Sequence, residues 1–452
     1  MNIVFKSKLR NFRDVMRLQG VDNMKTLETL SVLILIRWMR QNKGEMGQLS
    51  WSKLVELPIN EMVQLLKKEV NFLRNQLHKK LHNFNQMYEN VNVLREYVQF
   101  VNDMTFEHDE IGHLYRDMVE ELLSDKETPF NNHHLGKVMV NFARPHSKDV
   151  ILDPIAGPGW LLVEAYKFIL ERERELKDPL LIGMEINNVL SFVAEVSLRL
   201  QGVTNPIIIT KDLLEKYNSE DISADVILSI LPSGKRVDSF VEPTLHKKLD
   251  TDREELLNLQ LVIELLKPQG RCAIVVPDGV LSGNSPAHKK IRQQLVKENN
   301  LQAIISLPFG YIHSYSQHAS LLLLAKDIEI KRVWYYDMNG KNDRRFEMRE
   351  NDALREEFKL MQQAFQIQVL KQGELGADSE IEVATKQKNW FVEVSKVESP
   401  DYYLYPNFYR QNEDEQFRGK DSTLLLDEIT SLEGEITTKI KILESLLEDW
   451  RK

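Results

Sequence analysis

A single cysteine, Cys272, stands in the whole chain, so no internal disulfide forms and a reducing compartment is expected. Its setting, the apolar run "CAIVV", predicts an inert buried thiol rather than a nucleophile. Long apolar runs are also missing. The longest, "LSVLILI" at 30–36, is too short to span a bilayer, and "MNIVFKSKLR" at the start is not followed by the apolar segment of a secretory signal. No membrane association and a cytoplasmic location are therefore expected. Positive charge is in deficit too, with 59 Lys and Arg against 68 Asp and Glu and a net charge of −9. Attraction to phosphates supplies most non-specific nucleic-acid affinity, so a chain this acidic is a poor solitary DNA binder. Any work on nucleic acid is expected to be shared with a partner. Local basic groups such as "HKKIRQQ" at 288–294 read equally well as a solvated helix face.

Glycine and proline are absent from residues 60 to 111, where Val63, Leu66, Val70, Leu73, Leu77 and Leu81 recur at helical spacing. Residues 1–125 are read as an all-helical domain with a docking or scaffolding role. Beyond residue 125 the pattern changes. Apolar runs at 149–153, 180–186, 206–210, 225–230, 270–277, 301–308 and 320–326 alternate with amphipathic helical stretches. Strands alternating with helices imply right-handed crossovers and a mainly parallel sheet covered on both faces, which places an α/β domain at 126–345. Residues 346–420 read as an extension of that domain, a loop with short ordered pieces. In residues 421–452, Leu425, Ile429, Leu432, Ile436, Ile440, Leu443, Leu447 and Trp450 form the seam of an amphipathic, coiled-coil-like helix, expected to dock a protein partner. At 452 residues, with 42% hydrophobic and 28% charged side chains, the chain is long enough for two or three such units.

Ligands of open α/β sheets bind beyond the carboxyl ends of the strands, where the strand order reverses. The stretch "DVILDPIAGPGW" has the matching form: a strand, Asp153, a turn with Ala156, Gly157 and Gly159, then a helix from Trp160. Glycine lets backbone turn sharply and approach a ligand closely. The second strand ends at Glu185, placed to accept from the hydroxyls of a ribose, and the third is followed by Asp212, placed to accept from an adenine amino group. Three acids at successive strand ends with a G-x-G after the first form the pattern of S-adenosylmethionine binding. Generic strand-to-helix turns, with the acids as caps, would leave the same trace.

Several longer stretches, "DPIAGPGWLLVEA", "GMEINNVLSFVAEVSLRLQG", "AIVVPDGVLSG" and "IRQQLVKENNLQAIISLPFG", resemble the modification subunits of type I restriction–modification systems, which are N6-adenine DNA methyltransferases. The likeness runs over about residues 110 to 410. It implies a Rossmann-like class I methyltransferase domain with a helical N-terminal domain and a C-terminal amphipathic helix. It also implies S-adenosyl-L-methionine as cofactor, and a specificity-subunit-like partner through which DNA is reached, docking on residues 421–452. The family's Phe-Tyr-Thr-Pro-like segment, which helps to close over the cofactor, falls on "PFNNHH", where Phe130 is kept and Asn131 and Asn132 stand in for its neighbours. Adjacent histidines, His133 and His134, point in different directions and no third ligand is evident, so no metal is expected.

The family carries an Asn-Pro-Pro-aromatic loop after its fourth strand. The exocyclic amine of adenine is a poor nucleophile because its lone pair is delocalised into the ring. The asparagine and a backbone carbonyl accept the two amine hydrogens, and the aromatic stacks on the flipped base. In "DVILSILPSG" the asparagine position falls on Ile230, the prolines on Leu231 and Pro232, and the aromatic on Ser233, with Gly234 retained. Shifting by one puts Ser229 first and Pro232 in the aromatic place. Neither register has a side-chain amide or a stacking aromatic ring. Losing both positioning and a buried hydrogen bond costs orders of magnitude in rate. The expectation is a catalytically impaired subunit that acts as a scaffold or senses the cofactor in a DNA-acting complex. The alternatives are an active N6-adenine methyltransferase working with a specificity subunit, and a methyltransferase for a non-DNA acceptor.

Overall fold

The computed structural model describes residues 3–43, 51–77, 90–104, 110–123, 133–173, 179–212, 214, 222–234, 236–237, 248–298, 300–312, 315, 317–338, 352–370, 381, 385, 388–398 and 401–410. Phe130 and the helix expected at 421–452 lie outside them. Met1–Pro406 form one compact unit and Asn407–Lys452 a second, of which only residues 407–410 are described.

The first part of the chain is helical: α1 (Ile3–Leu18), α2 (Asn23–Lys43), α3 (Trp51–Glu56), α4 (Ile59–Leu77), α5 (Val91–Asn102) and α6 (Ile111–Leu123). The glycine-free stretch is α4, which buries Met62, Leu66, Val70, Leu73 and Leu77, one stripe of a 3.6-residue period. The longest apolar run lies in α2. Every residue from Leu30 to Ile36 is buried there, so that segment of the helix is apolar on every side because it is surrounded by protein. Its one polar member, Ser31, donates to the Leu27 carbonyl (2.6 Å) and shares a hydrogen bond with the Tyr115 hydroxyl (2.8 Å). Among the described residues no helix is long and apolar enough to cross a membrane.

Helix α7 (His133–Ala143) leads into a nine-stranded sheet of order β3-β2-β1-β4-β5-β7-β6-β8-β9. The strands are β1 (Val150–Asp153), β2 (Leu180–Glu185), β3 (Ile207–Thr210), β4 (Ala224–Ile230), β5 (Leu266–Pro277), β6 (Leu301–Ser306), β7 (Ala319–Ala325), β8 (Arg332–Asp337) and β9 (Asn389–Glu393). Each of the seven expected strands is there. The first five pair in parallel; β7 runs antiparallel to both β5 and β6. With α8 (Trp160–Arg172) and α9 (Asn188–Leu200) as crossovers, this is the class I methyltransferase fold. The strand order reverses between β1 and β4, which is where such sheets open a crevice. The parallel strands are near-continuous apolar runs because both sheet faces are covered.

Two strands go beyond the seven. β8, "RVWYYD", pairs in parallel with β6, and its Trp334, Tyr335 and Tyr336 are fully buried. β9 pairs antiparallel with β8 and stacks Trp390 on Tyr335, with ring centroids 5.7 Å apart. The region expected as loop also holds a helix, Asp352–Phe365, burying Phe358, Met361, Ala364 and Phe365. Sheet extension overrides the loop reading here, because β8 presents a free edge that β9 covers.

Candidate functional site

A cleft of ≈ 360 Å³ opens at the carboxyl ends of β1 to β4. Its floor is Pro154 and Ile155 after β1, Glu185 and Ile186 at β2, and Asp212 after β3. The opposite wall is Pro232, Arg236 and Val237 after β4, with Glu254 and Asn258 of helix α10 (Glu254–Leu265). Three residues singled out from sequence, Glu185, Asp212 and Pro232, thus share one cleft although they come from three different strand ends.

The glycine turn is built as its pattern demands. Gly157 (φ +51°) and Gly159 (φ +83°) both adopt left-handed backbone. A β-carbon on Gly159 would stand 3.2 Å from the Ala194 Cα and 3.3 Å from its carbonyl oxygen, so α8 starts hard against α9 only because that atom is missing. The Ala156 N–H donates to the Met184 carbonyl (2.8 Å), tying the turn to β2. Gly157 N–H donates to Glu185 Oε2 (2.9 Å) and Asn187 N–H to Glu185 Oε1 (2.8 Å). Each carboxylate oxygen keeps a second lone pair for a ligand hydroxyl. Burial holds the Glu185 carboxyl above its usual range.

Asp153 does something other than line the cleft. Its side chain is buried and accepts from the Ile155 N–H (3.1 Å) and the Ser229 hydroxyl (3.1 Å), so it ties the end of β1 to β4. Burial pushes its carboxyl up to about 7, against the two hydrogen bonds and with help from the nearby Glu185 charge. Asp212 accepts from the Leu214 N–H (2.9 Å). Trp160, next to the turn, is buried with the Arg116 guanidinium over its ring at 5.1 Å. Arg116 in turn donates to Glu164 (2.8 Å), an ion pair that joins α6 to α8.

At the end of β4, Leu231 is fully buried, while Ile230, Pro232 and Ser233 are half-buried. None of the four carries a side-chain amide or an aromatic ring. Two residues that sequence reading missed close this end. Tyr315 donates its hydroxyl to the Leu231 carbonyl, and Gln317 Nε2 donates to Ser233 Oγ (3.3 Å). Beside them Asp278, after β5, accepts from the Ser320 hydroxyl (2.7 Å), and burial pushes its carboxyl up to about 6. Among the described residues no group of three or more His, Cys, Asp or Glu side chains could hold a metal. Cys272 is buried and free, and burial raises its thiol.

The cleft suits S-adenosylmethionine: buried Glu185 at the end of β2, the apolar, solvent-facing Ile186 beside it and Asp212 beyond offer acceptors and a flat apolar seat for a nucleoside. The N-6 DNA Methylase family profile matches residues 107–417. The EcoEI methylase subunit of the type I restriction enzyme from Escherichia coli is 28% identical over 264 residues, which are 55% of this chain and 54% of that protein. The StySJI methylase subunit from Salmonella typhimurium is 22% identical over 388 residues, 74% of this chain and 70% of that one. The chain spans about half the length of the EcoEI subunit and of the EcoKI methylase subunit of Escherichia coli K12 (48%). Among solved structures, a chain of a type I R-M complex superposes with TM-score 0.69 at 21% identity, covering 99% of each. The type I methyltransferase subunit from Streptococcus thermophilus gives 0.67 at 16% identity, covering 91% of this chain and all of that one. This chain belongs to the N-6 DNA methylase family, and its likeness within that family is to the methylase subunits of type I restriction enzymes.

Proposed function

We propose that this chain is the methyltransferase-like subunit of a restriction–modification complex, that it binds S-adenosyl-L-methionine, and that it is impaired in methyl transfer to adenine. Glu185 and Asp212 would hold the nucleoside of the cofactor, and the turn at Ala156, Gly157 and Gly159 its other end. When bound, the cofactor supplies a methyl group on a sulfonium. The chain's own part is to hold the acceptor amine, and one observation carries the reading of impairment. At Ile230 no side-chain acceptor stands where the family has an asparagine, and the adjoining Leu231 carbonyl already receives the Tyr315 hydroxyl. One hydrogen of an exocyclic amine thereby lacks its acceptor at that loop, and the other shares the Leu231 carbonyl with the Tyr315 hydroxyl. Residues 1–125, 126–345 and 346–420 would act as a helical platform, the methyltransferase-like domain and its extension. The helix at 421–452 would dock a specificity-subunit-like partner that brings DNA.

The test is transfer of label from radioactive S-adenosylmethionine to duplex DNA, with calorimetry of the cofactor in parallel. Cofactor binding without labelling is expected. Robust labelling by the purified chain sinks the impairment. Deleting residues 421–452 is expected to release the partner and leave the main domain folded; a truncated chain that still co-purifies with it refutes the docking role. The second reading, an active N6-adenine methyltransferase working with a specificity subunit, draws support from the side-chain amide of Gln317 close to Ser233.

A further inference from the structure

The chain between β6 and β7 returns across the ends of β4 and β5, and contacts at three levels hold its returning limb. Tyr315 donates to the Leu231 carbonyl, and Gln317 Nε2 donates to Ser233 Oγ (3.3 Å). The Asp278 N–H donates to the His318 carbonyl (2.9 Å), where β5 and β7 pair in register at Pro277 and Ala319. The Gln317 amide lies over Gly279, the first residue of the turn after β5. A β-carbon there would stand 3.3 Å from Gln317 Oε1 and 3.7 Å from Nε2. An amide from a distant loop thus rests against Ser233, in the stretch where the family's motif carries its own amide and ring.

We propose that Gln317 is the acceptor-pocket amide of this chain, delivered from the β6–β7 loop in place of an asparagine at 230, and that it grips an adenine base by its amine edge. Ile230, Leu231 and Pro232 offer no side-chain hydrogen bond, and Ser233 offers one hydroxyl. A carboxamide carries donors and an acceptor in one plane, the pattern that matches the N6 amine and N7 of adenine. With Nε2 turned to Ser233, Oε1 remains to accept one amine hydrogen. The other hydrogen would share the Leu231 carbonyl with the Tyr315 hydroxyl. The pocket therefore holds the base through one side-chain acceptor and one shared carbonyl. This inference rests on the proposed subunit reading for its ligand, and it makes Gln317 a residue of base discrimination.

The experiment uses the full chain and two fluorescent single strands, one of deoxyadenosine and one of 2′-deoxynebularine, which keeps N7 and lacks the amine. Fluorescence anisotropy is expected to show a preference for the adenine strand of about tenfold, the worth of one good hydrogen bond. Gln317→Leu abolishes that preference, and Gln317→Asn keeps part of it. Gly279→Ala puts a methyl group against Oε1 and lowers the preference to an intermediate value. Urea midpoints of each variant report folding separately. A wild-type chain with no preference, or a folded Gln317→Leu chain that retains it, overturns the proposal. Were Gln317→Leu unable to fold, an unchanged preference in Gly279→Ala together with its loss in Gln317→Asn would overturn it as well. Labelling of DNA from radioactive cofactor bears on the impairment alone: methylation by wild type ends that reading and leaves the dependence on Gln317 to be decided by the preference ratio.

Discussion

At one end of the sheet's carboxyl edge, β1 and β2 are closed by backbone N–H groups donating to buried carboxyls; at the other, β4 and β5 are closed by side chains of the β6–β7 loop. Asp153 and Glu185 receive Ile155, Gly157 and Asn187, all within one turn or from the neighbouring strand. Leu231 and Ser233 receive Tyr315 and Gln317, each 84 residues away in sequence. The first arrangement depends on backbone that only particular residues can adopt. The second depends on which side chains a separate loop brings. A pocket of the second kind can change its chemistry by substitution while the sheet beneath it stays intact. That explains how a strand-end cleft lined by acids coexists here with a loop that has no side-chain amide or aromatic ring.

Substitution of the glycine turn should separate the two ends most strongly. Gly159→Ala places a side chain on left-handed backbone and drives it against the Ala194 main chain. The conformation alone costs about 1–2 kcal/mol, and the crowding brings the expected loss to about 2–3 kcal/mol of unfolding free energy. Urea denaturation measures it, and calorimetry should show weakened binding of S-adenosylmethionine. Gly234 is left-handed too, at φ +76°, but no atom lies within 4 Å of a β-carbon there. Gly234→Ala should therefore cost only the conformational part. Equal losses at the two glycines would contradict the contrast between a closely packed cofactor end and an open acceptor loop.

The next effect is a dependence on pH. Asp153 titrates near 7 in the folded chain and in the ordinary carboxylate range when unfolded. Between those values the folded state holds a proton that the unfolded chain has released, so stability falls as pH rises through that window. Asp153→Asn keeps acceptors for Ile155 and Ser229 and removes the titration. The variant should gain on wild type by about 2 kcal/mol between about pH 5 and about pH 8, read from urea midpoints. A gap that does not change with pH means that Asp153 is not the buried acid described here.

Much of the sheet is legible in the sequence alone. The strands from β1 to β7 announce themselves as apolar runs, because both faces of the sheet are buried. The crevice end is legible too: Asp153, Glu185 and Asp212 each stand at or just after the end of their own strand. β8 and β9 are not. "RVWYYD" has the aromatic content of a strand, yet its place depends on pairing with β6, and β9 is separated from it by a helix. At the acceptor end the sequence shows what Ile230 and Ser233 lack. Nothing near them in the chain names Tyr315 or Gln317, since their contacts are set by the register of β5 with β7. The tie that Asp153 makes between β1 and β4, through Ile155 and Ser229, is equally absent from the sequence pattern.

The smallest effect concerns a single hydroxyl. Tyr315 is buried, and burial raises its phenol well above the usual range, so it remains a donor across the working pH span. Tyr315→Phe preserves the ring and removes the donor, leaving the Leu231 carbonyl without its partner at a cost of about 1 kcal/mol in stability. The same change leaves that carbonyl unshared for the second hydrogen of an adenine amine. If the proposed impairment comes from sharing of that carbonyl, Tyr315→Phe should raise labelling of DNA from radioactive S-adenosylmethionine above the wild-type level even as the urea midpoint falls. A chain that is destabilised as expected but labels no better assigns the proposed impairment to Ile230, which has no side-chain acceptor. The double change Tyr315→Phe with Ile230→Asn then becomes the variant in which activity returns.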